Sequence, residues 1–378
     1  MLYQPLNNER LDALRYEGDP LADQVIVDLF ERGDIQNVNE LLKPLTRNDQ
    51  IPVETFPEVL NHFLEESGKL PDWADYDLMV KGQKVSQRYV AYFAGLWAYA
   101  SLPSCYAARD GVQVLSMSSY IGNSPAKRLA ETGQMLLDVL VVGGFEPSGH
   151  AIRSIQKVRL IHAAVRYLIE NSDRWDYKHG KPINQEDMLG TLFSFYLSPL
   201  ESMEKLGVEF SDEALRAIMH LWAVVGYMSG VREEVIPDRI DDVIQLGAAI
   251  RERHYAPSPE GQDLTQRLIA YIQENNPPYM PKSIVPTMMR YFVGDETADM
   301  LAIPRGDWTR AAVPFLQTFS QMSVLMEYNN GIMKQMTERI GGNIINSIIH
   351  SAGTDIRKQL QLPAHLTDHS EQATRANG

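Results

Sequence analysis

The chain has 378 residues, enough to bury a large core in one big domain or two modest ones without covalent staples. With 35 basic against 49 acidic side chains and a formal net charge of −14, it lacks the cationic surface that tracks phosphates, so we expect no nucleic-acid partner. Cys105 is the single cysteine, which excludes an internal disulfide framework, a cysteine-rich zinc site and an iron–sulfur cluster held by this chain alone.

The opening stretch, MLYQPLNNERLDALRYEGDP, is polar and charged and lacks the apolar centre of an export signal, so a cytoplasmic location is expected. Residues 1–80 read as a helical annex of short amphipathic segments, such as DPLADQVIVDLFERG and FPEVLNHFLEES, with no recognisable chemistry. Residues 83–102 then place Tyr89, Tyr92, Phe93, Trp97 and Tyr99 at helical spacing. Such a stripe suits a core, and Pro103 is expected to end the helix.

The next helix starts at Ser124-Pro125, a serine cap with proline in the first turn, and stops at Gly143-Gly144. At about 100° per residue, Arg128, Glu131, Thr132, Met135 and Val139 share one stripe, a mixture unlike a simple core. On its own that stripe reads as a half-buried Arg128–Glu131 pair. A short turn leads into a helix through KVRLIHAAVR that fades near Asn171. Its core face holds Val158, Ile161, Ala164, Val165 and Leu168, while Arg159, His162 and Arg166 fall at about 0°, 300° and 340° on the adjoining stripe. A neutral imidazole is a common ligand for haem iron, and guanidinium forks suit carboxylates such as haem propionates. A salt-bridged face with one hydrogen-bonded histidine fits the same spacing. Only a short loop separates the two helices, so they can lie side by side and sandwich a flat cofactor.

Asn184-Gln185-Glu186-Asp187 marks a capped helix with acids in its first turn. It continues through GTLFSFYLSPLESM, with Pro199 bending or ending it, and reads as pocket wall. Ser211 caps the following helix, DEALRAIMHLWAVVGYMSGV, where His220 rivals His162 as an iron ligand but has no accompanying arginines. The stretch VREEVIPDRIDDVIQLG reads as a charged helix facing solvent. Residues 309–360 form long helices broken at Gly341-Gly342, whose Met322, Met326, Met333 and Met336 suit core filling or a homodimer contact. Residues 363–378 read as a disordered tail. The most apolar runs, MLLDVLVVGGF and AIMHLWAVVGYM, fall short of the ~20 residues that a membrane span requires.

Five stretches, SYIGNSPAKRLAET, KVRLIHAAVR, GKPINQEDMLGTLFSF, LWAVVGYMSGVREEVIP and VPTMMRYFVGDETADMLAIP, resemble the oxygenase family that contains the latex-clearing proteins (rubber oxygenases) and the MpaB-type oxygenase of the mycophenolic acid pathway. The likeness runs from about residue 80 onward. It implies an all-α, globin-like multi-helix bundle enclosing a haem b pocket over residues 81–362. His162 would be the proximal iron ligand, with Arg159 and Arg166 securing the haem by propionate contacts or helix packing. No Cys-x-x-Cys-His occurs, so attachment would be non-covalent. The rubber oxygenases carry an Arg-x-x-Lys-Thr element on the open, oxygen-binding side of the haem. Arg128 and Thr132 match it, but Glu131 stands where those enzymes have lysine, which reverses a charge in the pocket. A carboxylate there is expected to act as a base or proton relay, and it favours the wider family over the rubber-cleaving branch. The implied activity is O2-dependent cleavage of a carbon–carbon double bond in a small apolar substrate, isoprenoids included, with Arg128, Glu131 and Thr132 as catalytic residues. Two other readings are a non-catalytic haem-binding sensor or carrier, and a helical interaction protein without a cofactor.

Overall fold

Helix-start chemistry in the sequence places several of the element boundaries. The computed structural model describes residues 3–50, 56–117, 125–276, 281–305 and 356–363, and the side chains of residues 125–129 lie outside that description. The N-terminal region folds as α1 (Asn8–Leu14), α2 (Pro20–Arg32), α3 (Ile35–Leu42) and α4 (Glu58–Glu66). Asn7 and Asp19 cap α1 and α2 by accepting backbone N–H groups, and Gly33, at φ 72°, ends α2 in the left-handed conformation. There follow α5 (Tyr76–Arg88), α6 (Val90–Leu96), a π turn (Trp97–Ser101), α7 (Leu102–Ala107), α8 (Gly111–Met117), α9 (Pro125–Leu140) and α10 (Ala151–Glu170). The remaining elements are α11 (Gln185–Lys205), α12 (Asp212–Met228), α13 (Ile240–His254), α14 (Pro259–Asn275), α15 (Ile284–Val293) and α16 (Asp295–Met300). Among the described residues β pairing is limited to one bridge, Ala108 to Tyr255. The protein is all-α, as expected.

Three expectations change. The aromatic stripe is core, with Tyr92 and Phe93 fully buried, yet Pro103 does not end the helical run. The chain first widens into the π turn, where the Leu102 N–H bonds the Trp97 carbonyl, and Pro103 then occupies the first turn of α7. The widened turn takes up the proline ring and its missing N–H without ending the run. Pro199 likewise sits inside α11, which continues to Lys205. The stretch VREEVIPDRIDDVIQLG does not simply face solvent: Val231, Val235, Ile236, Val243 and Leu246 are all buried. Its charges mark only the outer face of an amphipathic segment. The Met-rich segment with its Gly341-Gly342 break, and the tail after residue 363, lie outside the described residues. Among the described residues no helix is long and apolar enough to cross a membrane.

Helix α10 joins two apolar clusters. Ile155 belongs to the main core with Leu189 of α11 and Trp222 of α12. Leu160, Ala164 and Ile169 belong to a second cluster with Val25, Leu29 and Phe63 of the N-terminal helices. Elsewhere α5 and α12 approach so closely that a Cβ at Gly82 would lie 2.4 Å from the Ala217 carbonyl oxygen. Only glycine fits there.

The turn between α9 and α10 is equally tight, with Gly143 at φ 83° and a Cβ at Gly144 placed 2.1 Å from the Asp138 carbonyl oxygen. Beside this turn Asp138, 2% exposed, accepts hydrogen bonds from Ser154 Oγ at 2.5 Å, Gln134 Nε2 at 2.9 Å and Arg357 Nη2 at 2.6 Å. A short connection makes the two helices antiparallel neighbours. Seven residues back along α9 from Asp138, about 10 Å, lies Glu131, and eight residues forward along α10 from Ser154, about 12 Å, lies His162, which brings the two to nearly the same level. The clamp at the turn therefore sets the register of the two residues singled out from sequence.

Replacing Asp138 by alanine removes the acceptor of the buried Ser154 hydroxyl and one carboxylate partner of the half-buried Arg357 guanidinium. We expect Asp138→Ala to lose about 2–3 kcal/mol of stability, measured by urea unfolding. A loss below about 1 kcal/mol would show that the clamp is dispensable.

Candidate functional site

Helices α7 to α13 enclose a cavity of about 320 Å³, at the lower end of the range for small-molecule sites. Most of its wall is apolar, from residues such as Leu136, Val158, Ile161, Phe193 and Ile250. Glu131 and Thr132 enter the wall from α9 and His162 from α10, so three of the residues predicted from sequence meet in one space. Glu131 is 8% exposed and His162 half-buried. Arg128 lies on α9 one turn earlier, and its side chain is outside the described residues.

The two arginines bracketing His162 are committed to the N-terminal segment. Arg159 grips Asp19 with Nε at 2.5 Å and Nη2 at 2.7 Å, and its guanidinium carbon lies 5.7 Å from the centre of the Phe63 ring. Arg166, 1% exposed, pairs with Asp23 and donates to the carbonyls of Pro182 at 3.1 Å and Ile183 at 2.9 Å. Burial raises the Asp23 carboxyl pKa, and Arg166 and then Lys181 oppose that rise. These contacts tie α10 to the start of α2. They match the salt-bridged reading of this stripe.

His220, the rival histidine, accepts the backbone N–H of Asp75 at 2.8 Å through Nε2 and meets the edge of Trp73 at 5.8 Å. Burial lowers its pKa, which keeps the ring neutral and able to accept. It works as a packing histidine at the start of α5. Among the described residues no three His, Cys, Asp or Glu side chains converge as a group able to hold a metal ion.

A polar cluster at the cavity wall was not foreseen. Asn184 caps α11 as read from sequence, accepting the Asp187 N–H at 2.9 Å. The acids that follow do more than favour the helix start. Glu186 is fully buried and accepts from Arg253 Nε at 2.8 Å, with His254 Nε2 at 2.9 Å. Arg15 Nη1 lies 3.5 Å from both Glu186 and Asp187, and its Nη2 3.5 Å from Asp110, which His179 contacts at 2.8 Å. Glu186, Asp187 and His254 all line the cavity. The acids, His254 and Arg15 come from distant parts of the chain, so local pattern carried no signal for their meeting. Nearby, Arg251 makes a two-pronged pair with Glu201 at 2.9 and 2.6 Å, and burial pushes the Tyr255 hydroxyl up to about 12.

The family model described as ER-bound oxygenase mpaB/B′/rubber oxygenase, catalytic domain, matches residues 83–323. The rubber oxygenase of Streptomyces sp. (strain K30) is 30% identical over 294 residues, covering 77% of this chain and 72% of that protein. A solved structure of latex clearing protein LCP in the closed state superposes with a TM-score of 0.74 at 25% identity, covering 88% of this chain and 91% of that one.

Asp187 yields a pH prediction. Burial, the largest influence, outweighs the pull of Arg15 and His254 and lifts its carboxyl from 3.8 to about 6. The folded state therefore holds this proton more tightly than the unfolded chain, so its contribution to stability falls as pH rises from about 4 to about 6 and stays low above that. Two pKa units correspond to about 3 kcal/mol as an upper bound. Asp187→Asn should match the parent in urea unfolding at pH 4 and exceed it by about 1–3 kcal/mol at pH 8. A variant no more stable than the parent at pH 8 would contradict this.

Proposed function

The chain belongs to the mpaB/B′ and rubber oxygenase family, and from that premise we propose that it is a haem b-dependent oxygenase that uses O2 to cleave a carbon–carbon double bond in a small apolar, isoprenoid-type substrate. The observation that carries the reading is a single apolar cavity whose wall contains His162 from α10 together with Glu131 and Thr132 from α9. The residues present fit a haem. A porphyrin brings four nitrogen ligands of its own, so one imidazole among Val158, Ile161 and Val165 completes the protein's share on that side. When bound, the haem supplies the activation of O2, which side chains alone do not provide.

The remaining work falls to this chain. His162 would hold the iron, oriented by a helix that Asp19, Asp23 and Asp138 fix on separate flanks. Arg159 and Arg166 serve the haem indirectly, by holding α10 in place. The apolar wall excludes water and receives a hydrocarbon chain without desolvating charge. Glu131 takes or relays a proton at its carboxylate, beside the hydroxyl of Thr132, with Arg128 as the third member of the group. A carboxylate here, where the rubber oxygenases have lysine, supports a substrate other than polyisoprene itself.

Purification with haem supplied should give a protein with a Soret band, and His162→Ala should lose it. A variant with full haem content and an unchanged spectrum would refute the ligand assignment. Glu131→Gln is expected to keep the Soret band while turnover of an isoprenoid alkene to carbonyl products, followed by mass spectrometry, falls about a hundredfold or more. Unchanged turnover would remove Glu131 from the mechanism. A haem-loaded parent that yields no carbonyl product from any alkene would favour the sensor or carrier reading.

A further inference from the structure

Two glycines of the cavity wall press on apolar neighbours: a Cβ at Gly190 would lie 3.0 Å from Ile250 Cγ2, and one at Gly247 2.8 Å from Leu197 Cδ2. Gly111, in the same wall, faces a charge instead. A Cβ there would lie 3.5 Å from Asp187 Oδ1, 3.7 Å from its Cγ and 4.0 Å from its Oδ2. Among the described residues no side chain beyond its chain neighbours comes nearer. The Asp187 carboxyl group therefore borders an open notch in the wall, and 16% of its side chain is accessible. Burial is the largest influence on this carboxyl, which makes the notch internal space and not bulk solvent.

The two oxygens of Asp187 differ. Oδ2 accepts from Asn184 Nδ2 at 2.7 Å, whereas Oδ1, the atom nearest the notch, meets only Arg15 Nη1 at 3.5 Å among the described residues. That separation exceeds the roughly 2.7–3.2 Å of a good N–H···O bond. Glu186 next door offers no such oxygen, since Arg253 bonds its Oε1 at 2.8 Å and His254 meets its Oε2 at 2.9 Å. An ionised carboxylate only accepts hydrogen bonds, so what completes Oδ1 is a donor. Arg15 stands against a cationic donor, and Glu186 and Asp110, which share Arg15 with Asp187, stand against an anion. A neutral hydroxyl meets neither objection.

Resting on the reading of this cavity as the substrate chamber, we propose that Asp187 is a specificity-determining acceptor whose Oδ1 receives a substrate hydroxyl. The substrate is then an unsaturated apolar alcohol, its hydrocarbon part against the apolar wall and its hydroxyl in the notch beside Gly111. A hydrogen bond to a charged group raises affinity by about ten- to a hundredfold, which is the preference this site should show for an alcohol over its own methyl ether.

The test is equilibrium dialysis of the protein purified with haem supplied, at pH 8 where Asp187 is ionised, against geraniol and against geranyl methyl ether. The ether keeps the carbon chain and the oxygen but cannot donate. The intact protein should bind geraniol at least about tenfold more tightly. In Asp187→Asn, Asn184 Nδ2 holds the amide oxygen at the Oδ2 position and so turns the amide NH2 toward the notch. Both compounds accept from that group, so the variant should lose the preference for geraniol, whereas a purely structural role would weaken both alike and leave their ratio unchanged. Equal binding by the intact protein, or a preference for the ether, overturns the acceptor role while leaving the substrate chamber in place. That comparison stands even if the variant fails to fold. An Asp187→Asn protein that keeps the tenfold ratio overturns the proposal too, and failure of both compounds to bind overturns the chamber reading along with it.

Discussion

The structure depends on how α10 is held. One flank is registered against α9 by the buried carboxylate of Asp138, which gathers Ser154, Gln134 and Arg357 at the turn between the two helices. Another flank is tied to the start of α2 by Arg159 on Asp19 and Arg166 on Asp23. Buried pairs of this kind add little net stability over a well-packed apolar contact, but removing one partner is costly. Their value here is geometric. With both flanks fixed, His162 is left in the cavity wall and level with Glu131 of the neighbouring helix.

The N-terminal helices belong to this arrangement. Leu29, Val38 and Phe63 bury apolar surface against Leu160, Ala164 and Ile169 of α10. The hydrophobic contact supplies the bulk of the attraction and the ion pairs fix the orientation. Arg15 extends the same logic to α11, where it lies within reach of Glu186 and Asp187. The cavity is thus built from residues far apart in sequence, and its polar side is crowded with charge that neighbouring side chains answer.

Much of this was legible in the sequence, for physical reasons that can be named. Serine, aspartate and asparagine caps mark helix starts wherever they precede an apolar period, and Asn184, Ser211 and Asp19 do so here. The short connection between the two helices let Glu131, Thr132 and His162 be neighbours, and the family resemblance rather than their spacing assigned them one site. What local pattern could not show was the partner of each charge. Arg159 and Arg166 could answer a cofactor's carboxylate or a protein's with the same geometry, and only the fold shows Asp19 and Asp23 there. Glu186 looked like helix-start chemistry because Arg253 and His254 stand more than sixty residues downstream. Pro103 misled because a π turn absorbs its effect, and a π turn has no reliable signature in sequence.

The central claim is that one imidazole, set by these clamps into an apolar chamber, carries the iron of a haem with Glu131 and Thr132 sharing the chamber. A crystal structure of the protein purified with haem tests it most directly. The account predicts density for a single porphyrin in the cavity, its iron bonded to His162. A haem bound through any other residue, or a cavity still without haem after saturation, would contradict it.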